Sequence, residues 1–405
     1  MTIPDKQLIS LTEKYQTPLY CYEAELIKKR YHELYSFIPY SKLRIYYAMK
    51  ANYNLHILKL LEKEAARIDA VSPGDVYMAL KAGFSTERIL FTANKISDAE
   101  MHEVQSLGVL FNIGSLSRLE KYAKAYPGSE VCIRFNPDVV AGGHEFIKTG
   151  GEATKFGILL SNVEKVVAIA NEHGLKIVGI HEHTGSGIPE TVQMQKGMKN
   201  ILGIITPARF PHLNFVDFGG GFKVVYHPDE NQVDYETFGK EVVELFTDFC
   251  SKFGRELEMY FEPGKYLVAE SGKLLVEVTT VKQNRSKLIA GVNSGFAQLI
   301  RPMFYSAYHH IRNLSNPDGK LMTYDIVGNI CESGDCFASN RELPEIREGD
   351  ILVIETAGAY CYSMGSVYNM RAMPSEVLVD GAVDTLIRKR LSSLELVEKI
   401  VGERE

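Results

Sequence analysis

Between residues 43 and 264, short β-rich runs alternate with amphipathic helical stretches, and this alternation leaves the chain very few architectures. Eight runs recur: Leu43 to Ala48, Arg67 to Val71, Arg88 to Thr92, Val109 to Ile113, Glu130 to Phe135, Lys176 to His181, Leu213 to Phe218 and Glu258 to Glu262. Between them, stretches such as Leu55 to Ala66, Pro73 to Ala82, Asp98 to Ser106, Asn162 to His173 and Tyr235 to Phe253 repeat their apolar residues at helical spacing. Parallel strands with covering helices follow from this α/β pattern. Eight of them match a closed (β/α)8 TIM-type barrel, with an open doubly wound sheet as the runner-up. Barrel active sites lie at the C-terminal ends of the strands. Lys50, Ser72, Asn136, His183, Gly219 to Gly221 and Glu262 all fall there.

After Gly264 the helical period gives way to strand patterns separated by Gly, Asn and Asp turns: Tyr266 to Val281, Lys287 to Val292, Tyr324 to Val327, Asp350 to Thr356 and Glu376 to Val379. A second, all-β domain is expected. Pro18 to Tyr22 is a candidate strand of the same domain, because chain termini often lie close together. The expected boundaries are 25–265 for the barrel and 1–24 plus 266–405 for the β-domain, which ends in a helical tail. A length of 405 residues suits this division, being too long for one ordinary core.

A net charge of -6 with both signs interspersed and no basic tract gives no electrostatic footprint for nucleic acid or an anionic membrane surface. Small-molecule chemistry is the default. Met1 to Lys14 is polar and helical in character, unlike a secretion signal, and no apolar run approaches about 18 residues, so the expected location is the cytoplasm. Six cysteines are too sparse for a disulfide framework, and Cys331 and Cys336 lack the second pair of a zinc knuckle. His181 and His183 share one face of a strand, but no third ligand recurs nearby and no metal is expected. His181 reads as a core histidine. Asp69 and Asp75 are ambiguous and stay outside the expected site.

Lys50 closes the first run, where a rigid strand end can present an amine to an aldehyde; elsewhere such a lysine is a solvated charge. Gly219-Gly220-Gly221 lets successive backbone N–H groups approach a phosphate, although a glycine run is as often only a turn, and the spacing is not the Rossmann fingerprint. Glu262 reads either as a site carboxylate or as a surface acid before a Pro-Gly turn.

Further motifs stand in a fixed order: Tyr47-Ala48-Met49-Lys50-Ala51-Asn52, Arg134-Phe135-Asn136-Pro137, Thr149-Gly150 with Lys155-Phe156-Gly157, and His183-Thr184-Gly185-Ser186. Then come Gly219-Gly220-Gly221, Glu262-Pro263-Gly264, Arg301-Pro302 with Tyr305, Cys331-Glu332-Ser333-Gly334-Asp335 and Gly358-Ala359-Tyr360. Over nearly its whole length the chain resembles the alanine-racemase-like fold of pyridoxal-phosphate enzymes (fold type III), and within it the diaminopimelate decarboxylases of the group IV decarboxylase family.

The resemblance implies pyridoxal 5'-phosphate as cofactor and a barrel that binds it. Lys50 would bond the cofactor aldehyde, His183 would stack on its ring, and Glu262 would partner the pyridine nitrogen. Ser186, Gly219, Gly220, Gly221 and Tyr360 would hold the phosphate. Arg301, Tyr305, Glu332, Lys265 and Tyr360 would bind substrate, with Tyr368 beside them, and Cys331 would handle the proton. In the family the Cys-Glu loop reaches into the neighbouring subunit's site, which implies a homodimer with active sites shared across the interface. The implied reaction is decarboxylation of meso-2,6-diaminopimelate to L-lysine and CO2, the last step of lysine biosynthesis. Decarboxylation of ornithine, arginine or another basic amino acid is the near alternative. An amino-acid racemase and a non-catalytic binding protein on the same fold are more distant ones. The sequence departs from the family twice: Lys265 stands for a common arginine, and Asn293 where aspartate is often found. The first exchanges a planar fork for a point charge and leaves open how the distal carboxylate is held.

Overall fold

A computed structural model describes residues 3–142, 154–285 and 287–402. The Thr149-Gly150 pair lies outside the described residues. Helix α1 (Asp5–Tyr15), strand β1 (Leu19–Glu23) and helix α2 (Ala24–Phe37) lead into the alternating part. That part runs β2 (Leu43–Ala48), α3 (Leu55–Lys63), β3 (Arg67–Ala70), α4 (Pro73–Ala82), β4 (Ile89–Phe91), α5 (Asp98–Ser106), β5 (Leu110–Ile113) and α6 (Leu116–Ala125). It continues with β6 (Glu130–Asn136), β7 (Ile158–Leu159), α7 (Val163–His173), β8 (Lys176–His181), α8 (Thr191–Ile204), β9 (Phe215–Asp217), α9 (Tyr235–Phe253) and β10 (Glu258–Phe261).

All pairings among these strands are parallel, and because β10 pairs β2 while β5 pairs β6, the sheet closes into an eight-stranded barrel with β7 added at β6. The eight runs read from the sequence supply its staves. Local chemistry fixes the helix ends. Ser72 caps α4 through the Asp75 N–H, Pro73 sits where its missing N–H costs nothing, and Gly83 closes the helix in the left-handed region. Helix α3 stops at Lys63, short of the apolar pattern's end at Ala66, because Ala65 turns left-handed with φ of 62°.

Tyr46, Leu90, Cys132, Val178, Phe215 and Tyr260 fill the barrel interior, with the Phe215 and Tyr260 rings stacked at 4.2 Å. Side chains two apart on a strand share a face. The layer above this apolar one therefore comes from residues two positions on, among them Thr92, Arg134, Asp217 and Glu262.

The chain forms two compact units, one of residues 30–223 and 232–266 and the other of 1–29, 224–231 and 267–405. The second contains, after α10 (Lys265–Val268), strands β11 (Gly272–Asn284) and β12 (Lys287–Val292), helix α11 (Arg301–Tyr305), and strands β13 (Ile311–Asn313), β14 (Leu321–Val327), β15 (Cys336–Pro344) and β16 (Ile351–Ile354). Strands β17 (Ser375–Asp380) and β18 (Val383–Arg388) and helix α12 (Ser393–Val401) complete it. Its sheet runs β15-β14-β12-β11-β1-β17-β18, with β16 pairing β11 and β13. Strand β1 sits inside, antiparallel to β11 and parallel to β17, and all five of its residues are buried. Tyr266, expected to begin a strand, lies instead in the short helix α10.

Candidate active site

The polar layer of the barrel carries an unusual load of charge for a protein interior. Asp69, Arg134, His181, Asp217 and Glu262 are all buried. Lys50, in the single turn Met49–Ala51 after β2, reaches across to the neighbouring strand, where its Nζ lies 2.5 Å from Asp69 Oδ2. Register explains the reach: Ala48 pairs with Asp69 across β2 and β3. Lys50 remains partly exposed while Asp69 has no exposure.

Glu262 follows β10 directly and accepts from His181 Nε2 at 3.0 Å. That bond puts a proton on Nε2 and leaves Nδ1 without a partner among the described residues. Asp217 accepts from the Gly219 N–H at 2.8 Å through Oδ1, while its Oδ2 and Glu262 Oε1 are buried and unpartnered among the described residues. His181, Asp217 and Glu262 bring one ligand atom each to within 4.8 Å of one another. This trio differs from the His181/His183 pair weighed on sequence spacing, and a hydrogen bond already joins two of its members.

Burial raises the proton affinity of every carboxyl here. Asp69 rises through burial and the Glu262 charge, held back by Lys50. Asp217 rises well above the carboxylate range through burial and Glu262. Glu262 is raised by burial against the pull of Lys50 and Arg134. Burial and the Arg134 charge push His181 and His183 well down, so both imidazoles are neutral. Three carboxyl groups, Asp69, Asp217 and Glu262, face two cations, Lys50 and Arg134. Burial disfavours charge on all three carboxyl groups, and a cation entering the layer would favour their ionised forms.

The glycine run packs tightly against this layer. A Cβ on Gly219 would meet His183 Nδ1 at 2.5 Å, and one on Gly220 would meet the Glu262 carbonyl oxygen at 2.6 Å. Gly219 and Gly221 have φ of 64° and 104°, and the Gly220 N–H donates to His183 Nδ1 at 3.0 Å. The run thus fixes the His183 ring, a close-approach role the spacing alone could not reveal. Lys265 Nζ lies 3.4 Å from where a Cβ on Gly187 would stand, beside Ser186.

Arg301, Tyr305, Cys331, Glu332 and Tyr360 belong to the sheet unit. Arg301 is only 7% exposed and has no ion pair among the described residues, an expensive state for a guanidinium without a ligand. Tyr305 is partly buried with its hydroxyl 4.0 Å from Met364 Sδ, and Tyr360 holds a positive φ of 57°. Cys331 and Glu332 are exposed. Tyr368 donates to Glu332 Oε1 at 2.8 Å, and Asn369 Nδ2 lies 3.1 Å from Cys331 Sγ. Asp335, buried, accepts from the Phe296 and Ile330 N–H groups at 2.6 and 2.7 Å and so pins the end of the Cys331 loop. All six cysteines are free.

Sequence reasoning left out Asp69 and did not single out Asp217 or His309. The first two share a signal, an acid inside an otherwise apolar strand, as in Arg67-Ile68-Asp69-Ala70 and Phe215-Val216-Asp217. No helix among the described residues is long and apolar enough to cross a membrane.

Residues 24–269 match the family model described as pyridoxal-dependent decarboxylase, pyridoxal binding domain. The chain is similar to the diaminopimelate decarboxylase of Methanothermobacter thermautotrophicus, 42% identical over 401 residues, covering 96% of this chain and 92% of that protein. The diaminopimelate decarboxylase of Aquifex aeolicus is 35% identical over 400 residues, covering 96% and 93%. Among solved structures, diaminopimelate decarboxylase from Helicobacter pylori complexed with L-lysine superposes with a TM-score of 0.90 at 31% identity, covering 98% of this chain and 99% of that one.

Proposed function

The chain belongs to the pyridoxal-dependent decarboxylases, among the diaminopimelate decarboxylases, and from that premise we propose that it converts meso-2,6-diaminopimelate to L-lysine and CO2 with pyridoxal 5'-phosphate. The observation that carries the proposal is the paired strand-end amine, Lys50 on Asp69, in a layer whose Glu262 Oε1 is a buried acceptor without a partner among the described residues. An acceptor of that kind fits a protonated pyridine nitrogen, and the surplus of carboxyl groups fits the charge it carries. When bound, the cofactor supplies an electron-withdrawing ring that takes up the electron pair left as CO2 departs.

The chain's own residues have separable duties in this reading. Lys50 would hold the aldehyde end of the cofactor, and Asp69, 2.5 Å from its Nζ, orients the amine for that role. Glu262 would hold the proton on the ring nitrogen, and the neutral His183, fixed by the Gly220 N–H, would offer a flat face to the ring. Ser186 and the glycine run would receive the phosphate, a role the family resemblance gives to Tyr360 as well. Lys265, with its Nζ beside Gly187, would bring a positive charge next to the Ser186 loop. Arg301 would take the distal carboxylate with Tyr305 flanking it, Glu332 would pair with the distal ammonium, and the Cys331 thiol would be the proton donor. Met303, Phe304, Tyr368 and Met370 are exposed beside the Cys331 loop, which supports a homodimer in which that loop completes the other subunit's site.

Identifying the product after incubation with pyridoxal 5'-phosphate and a panel of amino acids tests the reaction: L-lysine from diaminopimelate supports it, and turnover of ornithine or arginine instead would replace it. Arg301→Ala tests the substrate assignment. Leaving a buried charge partner unpaired costs roughly 2 to 5 kcal/mol, so diaminopimelate turnover should fall steeply, and already poor turnover of L-ornithine should not fall in proportion.

A further inference from the structure

Arg301 does not choose its own orientation. Its Nη1 donates to His309 Nε2 at 3.0 Å, and the Tyr226 ring lies under the guanidinium with 4.4 Å from Cζ to the centroid. Arginine can only donate, so His309 Nε2 must be the bare nitrogen and Nδ1 must carry the proton. Nδ1 meets the Glu355 carbonyl oxygen at 2.9 Å, an acceptor that requires this tautomer. The chain of bonds is self-consistent from Glu355, just after strand β16, to the guanidinium. His309 has no exposure, and burial followed by the Arg301 charge pushes it down to about 3, so the imidazole stays a neutral acceptor at any working pH. Arg341 Nη1 donates to the His309 carbonyl oxygen at 2.9 Å and holds the backbone from the other side. The Tyr226 hydroxyl is buried with no partner among the described residues, so it is the ring face that serves here.

We propose that His309, backed by Tyr226, is a positioning residue for substrate selection: it occupies one N–H of Arg301 and lays the guanidinium flat, so that the rest of the fork is presented to a substrate carboxylate. The proposal rests on the reading that Arg301 binds the distal carboxylate. It adds that the discrimination resides in a residue that need not touch substrate. A free arginine samples many rotamers and loses that freedom on binding; one already held by an acceptor and a ring face loses less.

The test uses the holoenzyme and two ligands that differ by one group. L-Lysine, the product, keeps the carboxylate that is not removed, and 1,5-diaminopentane has none. In His309→Phe, the KM for diaminopimelate and the inhibition constant for L-lysine should both rise about tenfold to a hundredfold, the cost of misplacing a binding group by about 1 Å. The kcat should fall much less, and the inhibition constant for 1,5-diaminopentane should not follow. His309→Gln should recover most of the loss, since an amide can accept from Arg301 and donate to Glu355. Should the Phe variant not fold, His309→Asn, too short to span the same gap, gives the same readout. If His309→Phe leaves L-lysine inhibition unchanged while Arg301→Ala weakens it, His309 has no such role and the Arg301 reading stands. If Arg301→Ala weakens L-lysine and 1,5-diaminopentane equally, the underlying reading is the one that fails.

Discussion

Removing the Lys50 ammonium would leave the Asp69 carboxyl buried with its nearest cation gone, and a lone buried carboxylate responds by holding its proton. Asp69 is already raised in proton affinity, so losing Lys50 raises it further. A carboxyl whose folded-state pKa exceeds its unfolded one stabilises below the unfolded value, and that contribution is lost as pH rises toward the folded value. Lys50→Ala should therefore abolish turnover, and in cofactor-free protein its melting temperature should fall further below the parent's at pH 8 than at pH 5. Paired thermal melts at the two pH values check this, and an equal deficit at both would refute it. Glu262→Gln keeps the shape of the side chain but cannot favour a protonated ring. It should retain cofactor and slow decarboxylation by about a hundredfold or more, measured as CO2 release at saturating substrate. At this scale the sequence was only partly legible. Lys50, His183 and Glu262 announce themselves by standing at strand ends. Asp69 and Asp217 lie at or next to strand ends too, but an acid in an apolar strand can face core or solvent: a single-residue change of register turns it over, and composition is blind to register.

The elements that could be read are those with a strong period. Strands β2 and β8 were legible to the residue, and α4, α5 and α9 likewise, since a buried face imposes its repeat on the sequence. Strands β13, β15 and β18 were not. Most of β18 is exposed or half-buried at the sheet edge, and β15 has polar residues through its middle, so neither shows the alternation of a half-buried strand. The return of residues 224–231 to the sheet unit was equally hidden, since nothing local distinguishes it from a barrel loop. One loop has a clear mechanical anchor. Asp335 accepts two backbone N–H groups from a buried position, and Asp335→Ala would leave both donors unsatisfied. A loss of about 2 to 4 kcal/mol is expected in chemical denaturation, with earlier proteolytic cleavage near Cys331. Stability and cleavage equal to the parent's would show that the loop is held by something else.

At the scale of the molecule, the Cys331-Glu332 loop and the apolar residues beside it are exposed in a single chain. If that loop completes the other subunit's site, two dead chains can make one living site. Mixing inactive Lys50→Ala with inactive Glu332→Ala under subunit exchange should recover about a quarter of parent activity: hybrids form half the dimers and each holds one intact site of two. Exchange without recovery would remove the shared-site arrangement.

The surplus of carboxyl groups in the barrel layer has a consequence beyond catalysis. A ligand whose protonated ring nitrogen meets these carboxyl groups offsets their charge, and any ligand held by the folded chain alone stabilises the folded state. At a free cofactor concentration a hundred times the dissociation constant, that linkage is worth about 2.7 kcal/mol. Cofactor-loaded protein should therefore melt at a higher temperature than cofactor-free protein, by an amount that grows with added pyridoxal 5'-phosphate.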